Sequence, residues 1–269
     1  MVNFEGAYDE LLGSSVLDHD PWSRPNLHTF RPRHERLMEA LDRYLQPPRT
    51  TIADIGCHNG FFLALSRELG FSRSIAVDYF PLPEDRSFLT GLSDVRFMRE
   101  NFNEDRFLAG IDDGSVDAVV STEVLEHLYH HPAGYLAEVW RILRPGGILL
   151  LSTPNPGTVA KAVRSLRGIP VTWGDLSFAR TPKVMADTGE PLAVWDIHFR
   201  EYQPRDVLTL LEELPGAKVL ESGFLVNAPS PGSATPGRLA RSLVWKLGLG
   251  HQRVLAATQY HVVQKVAAG

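Results

Sequence analysis

Ala53-Asp54-Ile55-Gly56-Cys57-His58-Asn59-Gly60-Phe61 is the stretch on which the reading of this chain turns. Upstream, Thr50-Thr51-Ile52 make it a short β-rich run that ends in glycine. Downstream, GFFLALSRELG reads as a helix with Gly70 as its C-terminal stop. A strand running into Gly-x-x-x-Gly and then a helix lets the backbone approach a ligand closely, at a helix N-terminus with free N–H groups. A second strand, SIAVD, ends in Asp78, eighteen residues after Gly60. An acid there can accept both hydroxyls of a ribose. The plainer alternative is a strand–turn–helix with a capping acid. A nicotinamide dehydrogenase would need glycines where His58 and Phe61 stand, so the pyrophosphate fingerprint fails.

The same alternation continues outward. Before the stretch, PRHERLMEALDRYL, starting at Pro32, has helical spacing through Leu37, Met38, Leu41 and Leu45, and Pro47-Pro48 stop it. After it come VRFM (95–98) and SVDAVVST (115–122) as strands, then EVLEHL and AGYLAEVWRIL as helices. GILLLST follows, opened by Pro145-Gly146-Gly147 and closed by Pro154-Asn155-Pro156. PRDVLTLLEELPG is a further helix, and KVLESGFLV and TQYHVVQKV are the last strands. Strands that are almost continuously apolar and alternate with helices predict an α/β fold around a buried parallel sheet. Residues 156–197 and 227–254 interrupt the pattern and read as insertions in one domain, because strands resume after each.

Composition narrows the classes. The 269 residues are 43% hydrophobic and 22% charged, the profile of a globular protein rather than a disordered or fibrous one. Cys57 is the single cysteine, so no internal disulfide is expected. The start, MVNFEGAYDELLGSS, has neither the basic nor the apolar region of a signal peptide, and no run approaches a membrane span. A cytoplasmic location is therefore expected. The net charge of −5 and the lack of a basic tract argue against a nucleic-acid partner.

Several motifs now coincide in one order. DIGCHNG, AVD, RENF, SVDAVVSTEVLEHL and LRPGGILLLSTPN together resemble the class I S-adenosylmethionine-dependent methyltransferases, over about residues 50–225. The resemblance implies a Rossmann-like fold, a mostly parallel seven-stranded sheet with helices on both faces and an antiparallel last strand. It also implies that residues 1–49 form a helical segment capping the cofactor site and that 50–269 form the methyltransferase domain. Carried over, Asp54 and the Gly56–Gly60 backbone would hold the methionine part of S-adenosylmethionine, with Cys57 and His58 in that loop. Asp78 would take the ribose hydroxyls, with Tyr79 beside it. Asn101 stands where the family often has Asp against the adenine amine, Phe102 adds ring or backbone contact, and Ser121 is the fourth-strand residue of the set. His58 replaces the commonest middle glycine, so the loop there must accept a side chain.

A second constellation lies downstream. From Ile111 to Trp140 there are six acids and no Lys or Arg, together with His127, His130 and His131. Glu123, Glu126 and His127 stand at i, i+3 and i+4, which on a helix after the fourth strand would share one face at the C-terminal edge of the sheet. Such oxygen and imidazole donors suit Mg²⁺ or Mn²⁺; ordinary solvated helix acids are the alternative. Glu-x-x-Glu-His, then Thr-Pro-Asn, then His198 in DIHFREYQP resemble two subgroups, the ubiquinone-biosynthesis catechol O-methyltransferases and the small-RNA 2′-O-methyltransferases. In them the two Glu, the adjacent His and the later His bind a divalent cation, which implies Glu123, Glu126, His127 and His198 here.

Methyl transfer to a hydroxyl needs the oxygen brought in line and relieved of its proton. A divalent ion can lower the pKa of a hydroxyl and orient two adjacent oxygens. The expected acceptor is therefore a vicinal diol, on a saccharide or a glycosylated small molecule, with His127, His130 or His131 as candidate base. Arg164, Arg167, Trp173, Phe178, Arg180 and Trp195 in the first insertion could stack on a ring and pair with an anion, or simply pack it down. RLARSLVWKLGLG (238–250) is amphipathic and could meet its own domain, lipid or a partner in a homodimer. Three other readings stay open: a metal-free methyltransferase with a His base, a catechol or RNA 2′-O-methyltransferase, and a binding scaffold without catalysis.

Overall fold

The computed structural model describes residues 4–19, 23–81, 87–129, 132–168, 198–228, 246–247, 249 and 252–267. Seven strands form one sheet: β1 (Thr51–Ile55), β2 (Arg73–Asp78), β3 (Val95–Arg99), β4 (Val116–Thr122), β5 (Leu143–Pro154), β6 (Ala217–Leu225) and β7 (Thr258–Lys265). Their order is β3-β2-β1-β4-β5-β7-β6. The first five strands pair in parallel, and β7 runs antiparallel between β5 and β6. All seven expected strands and the antiparallel last strand are present. Every residue of β1 is buried, as a strand covered on both faces requires.

Alternate strand residues face opposite layers. Ile52, Ala76, Ala118, Val120, Ile148 and Leu150 belong to a core shared with three helices, α1 (Phe4–Gly13), α2 (Ser23–Tyr44) and α3 (Phe61–Ser66). Ala53, Ile55, Val77, Val119, Leu149 and Leu151 belong to a core shared with α4 (Pro132–Ile142) and α6 (Pro204–Glu212). One short helix, α5 (Val159–Leu166), buries none of its residues.

Two elements differ from expectation. The helix expected from Pro32 begins nine residues earlier, at Ser23, with Pro32 inside it. Pro25 sits in the first turn, where a missing N–H costs nothing, and Leu27 already lies on the buried stripe that Leu37, Met38 and Leu41 continue. The helix expected over EVLEHL is a single 3-10 turn, Leu125–His127. Glu123 takes φ +55°, which breaks the chain direction immediately after β4. Glu123, Glu126 and His127 therefore do not share a helix face.

Candidate functional site

Strand order reverses direction between the paired strands β1 and β4, which puts their ends at the switch point of the sheet, where open α/β folds bind ligands. A cavity of about 430 Å³ opens there. Asp54, Gly56, Cys57, His58, Asp78, Tyr79 and Phe102 line it, as do Glu123 and His127. Helix α2 supplies another wall through Asn26, Phe30, Arg33 and His34.

The loop after β1 is built by backbone. Gly56 has φ +82°, and a Cβ on it would come within 2.5 Å of Val124 Cγ2. His58 takes φ 50°, so the loop accepts its side chain in a left-handed conformation. Asp78 locks the arrangement. Its Oδ2 accepts from the His58 N–H at 2.7 Å and its Oδ1 from the Phe80 N–H at 3.0 Å. Burial pushes the Asp78 carboxyl up, and these N–H donors pull against it. Asp54, fully buried, is pushed up to about 7 by burial first and by the Asp78 charge second, with Arg33 opposing.

Three expected contacts fall elsewhere. The Asn101 side chain turns to its own loop, accepting from the Asn103 N–H at 3.2 Å and donating to Glu104 at 3.2 Å, and it does not line the cavity. Ser121 is buried against Tyr135, oxygen to oxygen at 2.7 Å. Gly60 lies behind the wall as the N-cap of α3, against Leu89. Arg33 belongs to none of the cofactor or cation motifs in the sequence. The residue is only 7% exposed, and its guanidinium stacks on Phe30, lies 3.2 Å from Glu123 Oε1, and leaves Nε without a hydrogen bond among the described residues. An arginine twenty residues before the nearest cofactor motif, at Ala53, gives no local signal.

The second cluster adjoins the cavity through His127. Glu126, His127 and His198 each offer one donor atom within 4.8 Å of the others. The two imidazoles meet edge to face at 4.9 Å. Glu126 is fully buried; its Oε2 accepts from Thr153 Oγ1 at 2.9 Å, while Oε1 makes no hydrogen bond among the described residues. Burial and then the neighbouring Glu123 push its carboxyl well up. A buried carboxylate oxygen with no donor, 3.9 Å from His127 Nε2, fits a cation that supplies the missing positive partner.

Glu123, expected in this group, stands outside it. Its Oε1 accepts from Ser152 Oγ at 3.1 Å and pairs with Arg33, because the +55° turn aims the side chain back toward α2 and β5. His130 and His131 lie outside the described residues, as do Trp173, Phe178, Arg180, Trp195 and most of 238–250. Tyr129 and Phe199, each 46% exposed, face one another at 5.6 Å beside the histidine pair.

A methyltransferase domain profile matches residues 29–193, more than half of the chain. The chain belongs to the methyltransferase-domain family. Among curated relatives, a ubiquinone biosynthesis O-methyltransferase of Xanthomonas oryzae pv. oryzae is 33% identical over 154 residues, 56% of this chain and 62% of that protein. A probable S-adenosylmethionine-dependent methyltransferase of Mycobacterium tuberculosis is 33% identical over 134 residues, 46% of this chain and 42% of that one. The chain thus spans less than two thirds of the length of these relatives. Among solved structures, a methyltransferase in complex with the Haloferax volcanii Trm112 activator superposes with a TM-score of 0.58 at 18% identity, covering 99% of both chains. Loganic acid methyltransferase gives 0.56 at 12% identity, covering 89% of this chain and 94% of that one. These likenesses establish the class I methyltransferase fold. No helix among the described residues is long and apolar enough to cross a membrane.

Proposed function

We propose that this chain is an S-adenosylmethionine-dependent O-methyltransferase that uses a divalent cation, Mg²⁺ or Mn²⁺, on a vicinal diol of a saccharide or glycosylated small molecule. The observation that carries the metal reading is the unpartnered, buried Glu126 Oε1 within reach of His127 and His198. Family membership and the cavity beside that cluster support the cofactor. A volume of about 430 Å³ lies in the range of small-ligand sites.

Asp78 faces the cavity as the candidate ribose acceptor, held in place by the His58 N–H, and the Gly56–His58 loop lines the cavity beside it. Asp54 offers a negative charge to the amino group of the methionine part, and the guanidinium of Arg33 offers a positive one to its carboxylate. Glu126, His127 and His198 would hold the cation. When bound, the cation supplies Lewis acidity that lowers the pKa of a neighbouring hydroxyl. The acceptor oxygen then loses its proton and takes the methyl group as the carbon–sulfur bond breaks. The products are a methyl ether, S-adenosylhomocysteine and a proton. His127, as a ligand, would not be free to act as base, which leaves His130 and His131 as the candidates. Tyr129 and Phe199 give a ring a surface to stack on.

The relative named for ubiquinone biosynthesis favours a second reading, an aromatic diol as acceptor. One experiment tests the shared core of both. Calorimetry with Mn²⁺ and S-adenosylhomocysteine present should give binding in the wild type, lost at least ~100-fold in Glu126→Gln. Turnover of diol acceptors should stop in excess EDTA. Turnover unaffected by EDTA would leave the metal-free reading standing instead.

A further inference from the structure

His198 is delivered to the cluster by a segment tied down on both sides. The Phe199 N–H donates to the Glu126 carbonyl at 2.8 Å, which fixes the backbone beside the ring. The ring itself is held by Glu201, whose Oε1 lies 3.2 Å from His198 Nδ1. The Glu201 side chain is only 6% exposed, so its charge must be matched locally. Lys161 of α5 matches it: Nζ pairs with the other carboxylate oxygen. A Lys–Glu–His chain therefore runs from α5, forty residues away in sequence, into the candidate cation site.

A histidine that donates Nδ1–H to a carboxylate keeps Nε2 unprotonated and available to a cation, and the carboxylate makes that nitrogen more basic. We propose that Glu201, anchored by Lys161, is the positioning residue of the cation site and holds His198 in the tautomer with its proton on Nδ1. This rests on the metal reading above. It assigns Glu201 and Lys161 no contact with cofactor or acceptor.

Two measurements test it, one of them without metal. In the metal-free protein, ¹⁵N ring shifts should place the His198 proton on Nδ1, and Glu201→Leu should abolish that preference. With S-adenosylhomocysteine present, Mn²⁺ binding should weaken ~10–100-fold in Glu201→Leu, the range that loss of such supporting partners costs. Glu201→Gln, which can still accept the Nδ1–H but lacks the charge, should fall between Glu201→Leu and the wild type and should retain the tautomer. It also keeps the test alive should Glu201→Leu fail to fold. Affinity for S-adenosylhomocysteine itself should stay within twofold, which a general loosening of the structure would not allow. Wild-type Mn²⁺ binding that both variants reproduce within twofold would overturn the positioning role alone. A wild type that binds no Mn²⁺ would overturn the metal reading and this role with it, and a His198 proton on Nε2 would overturn the role whatever the metal result.

Discussion

The β1–β2 end of the cavity and the Glu126–His127–His198 cluster adjoin, yet they are built in opposite ways. At the first, both Asp78 oxygens are already satisfied by backbone N–H groups of His58 and Phe80. The ligand wall is finished before any ligand arrives. At the second, a buried carboxylate oxygen has no hydrogen-bond donor among the described residues, and burial pushes its carboxyl well up. On the proposed reading, a cation would complete that wall. A preformed cradle and an unfinished one imply different sensitivities to mutation, and the two can be separated by measuring cofactor and metal binding on the same variants.

The largest difference is expected at Asp78. Asp78→Ala removes the candidate ribose acceptor and at once frees two backbone donors of the loop. Affinity for S-adenosylhomocysteine should fall ~100-fold or more, about 2.7 kcal/mol, while Mn²⁺ binding stays within twofold to threefold. A loss of both together, with the fold intact by circular dichroism, would show that the two regions are one site. Next in size is Gly56→Ala. At φ +82° a Cβ is strained, and it would also press on Val124 Cγ2 at 2.5 Å. A cost of about 2 kcal/mol is expected from strain and overpacking. That should lower the melting temperature by roughly 4–8 °C in a domain of this size. An unchanged melting temperature would mean that the loop is less fixed than its hydrogen bonds imply.

The same contrast explains what the sequence displays. Strands and the loop after β1 are legible because their signals are local: continuous apolar runs, a Gly-x-x-x-Gly spacing, an acid at a strand end. His58 was the expected misfit, and the left-handed φ of 50° accommodates it. The cluster is legible only as a set of residue types. His198 lies seventy-one residues beyond His127 in the chain, and only the fold brings the rings to 4.9 Å. Spacing misled at Glu123, because i, i+3, i+4 counts as a face only where the backbone is helical, and Glu123 has φ +55°. Arg33 and Glu201 were invisible for a related reason. Each is ion-paired with a residue distant in sequence, Arg33 with Glu123 and Glu201 with Lys161.

The smallest effect expected is a pH dependence, and it bears on how finished the cofactor side is. Asp54 titrates at about 7 because burial and the Asp78 charge disfavour its ionised form. Its pKa in the unfolded chain is the ordinary 3.8. The folded apo protein therefore keeps the proton longer than the unfolded chain does. The contribution of this group to stability is greatest below pH ~4, falls as pH rises from ~4 to ~7, and is flat above. A cationic amino group beside Asp54 reverses the preference, since it favours the ionised carboxylate. Cofactor affinity should then rise ~10-fold between pH 6 and pH 8, with a proton released on binding below pH 7. Asp78, also pushed up, could contribute to such a gradient, whereas His34 is held well below its ordinary value by burial. Asp54→Asn separates these sources. Calorimetry in two buffers of different ionisation enthalpy should show the proton release in the wild type and not in the variant, whose affinity should be nearly flat with pH. An equal gradient in both would assign it to another titratable group of the cavity, Asp78, His58 or His127, and not to Asp54. A wild-type affinity that does not move between pH 6 and 8 would mean that no cation is held at Asp54, leaving the methionine end of the cofactor to the Arg33 guanidinium.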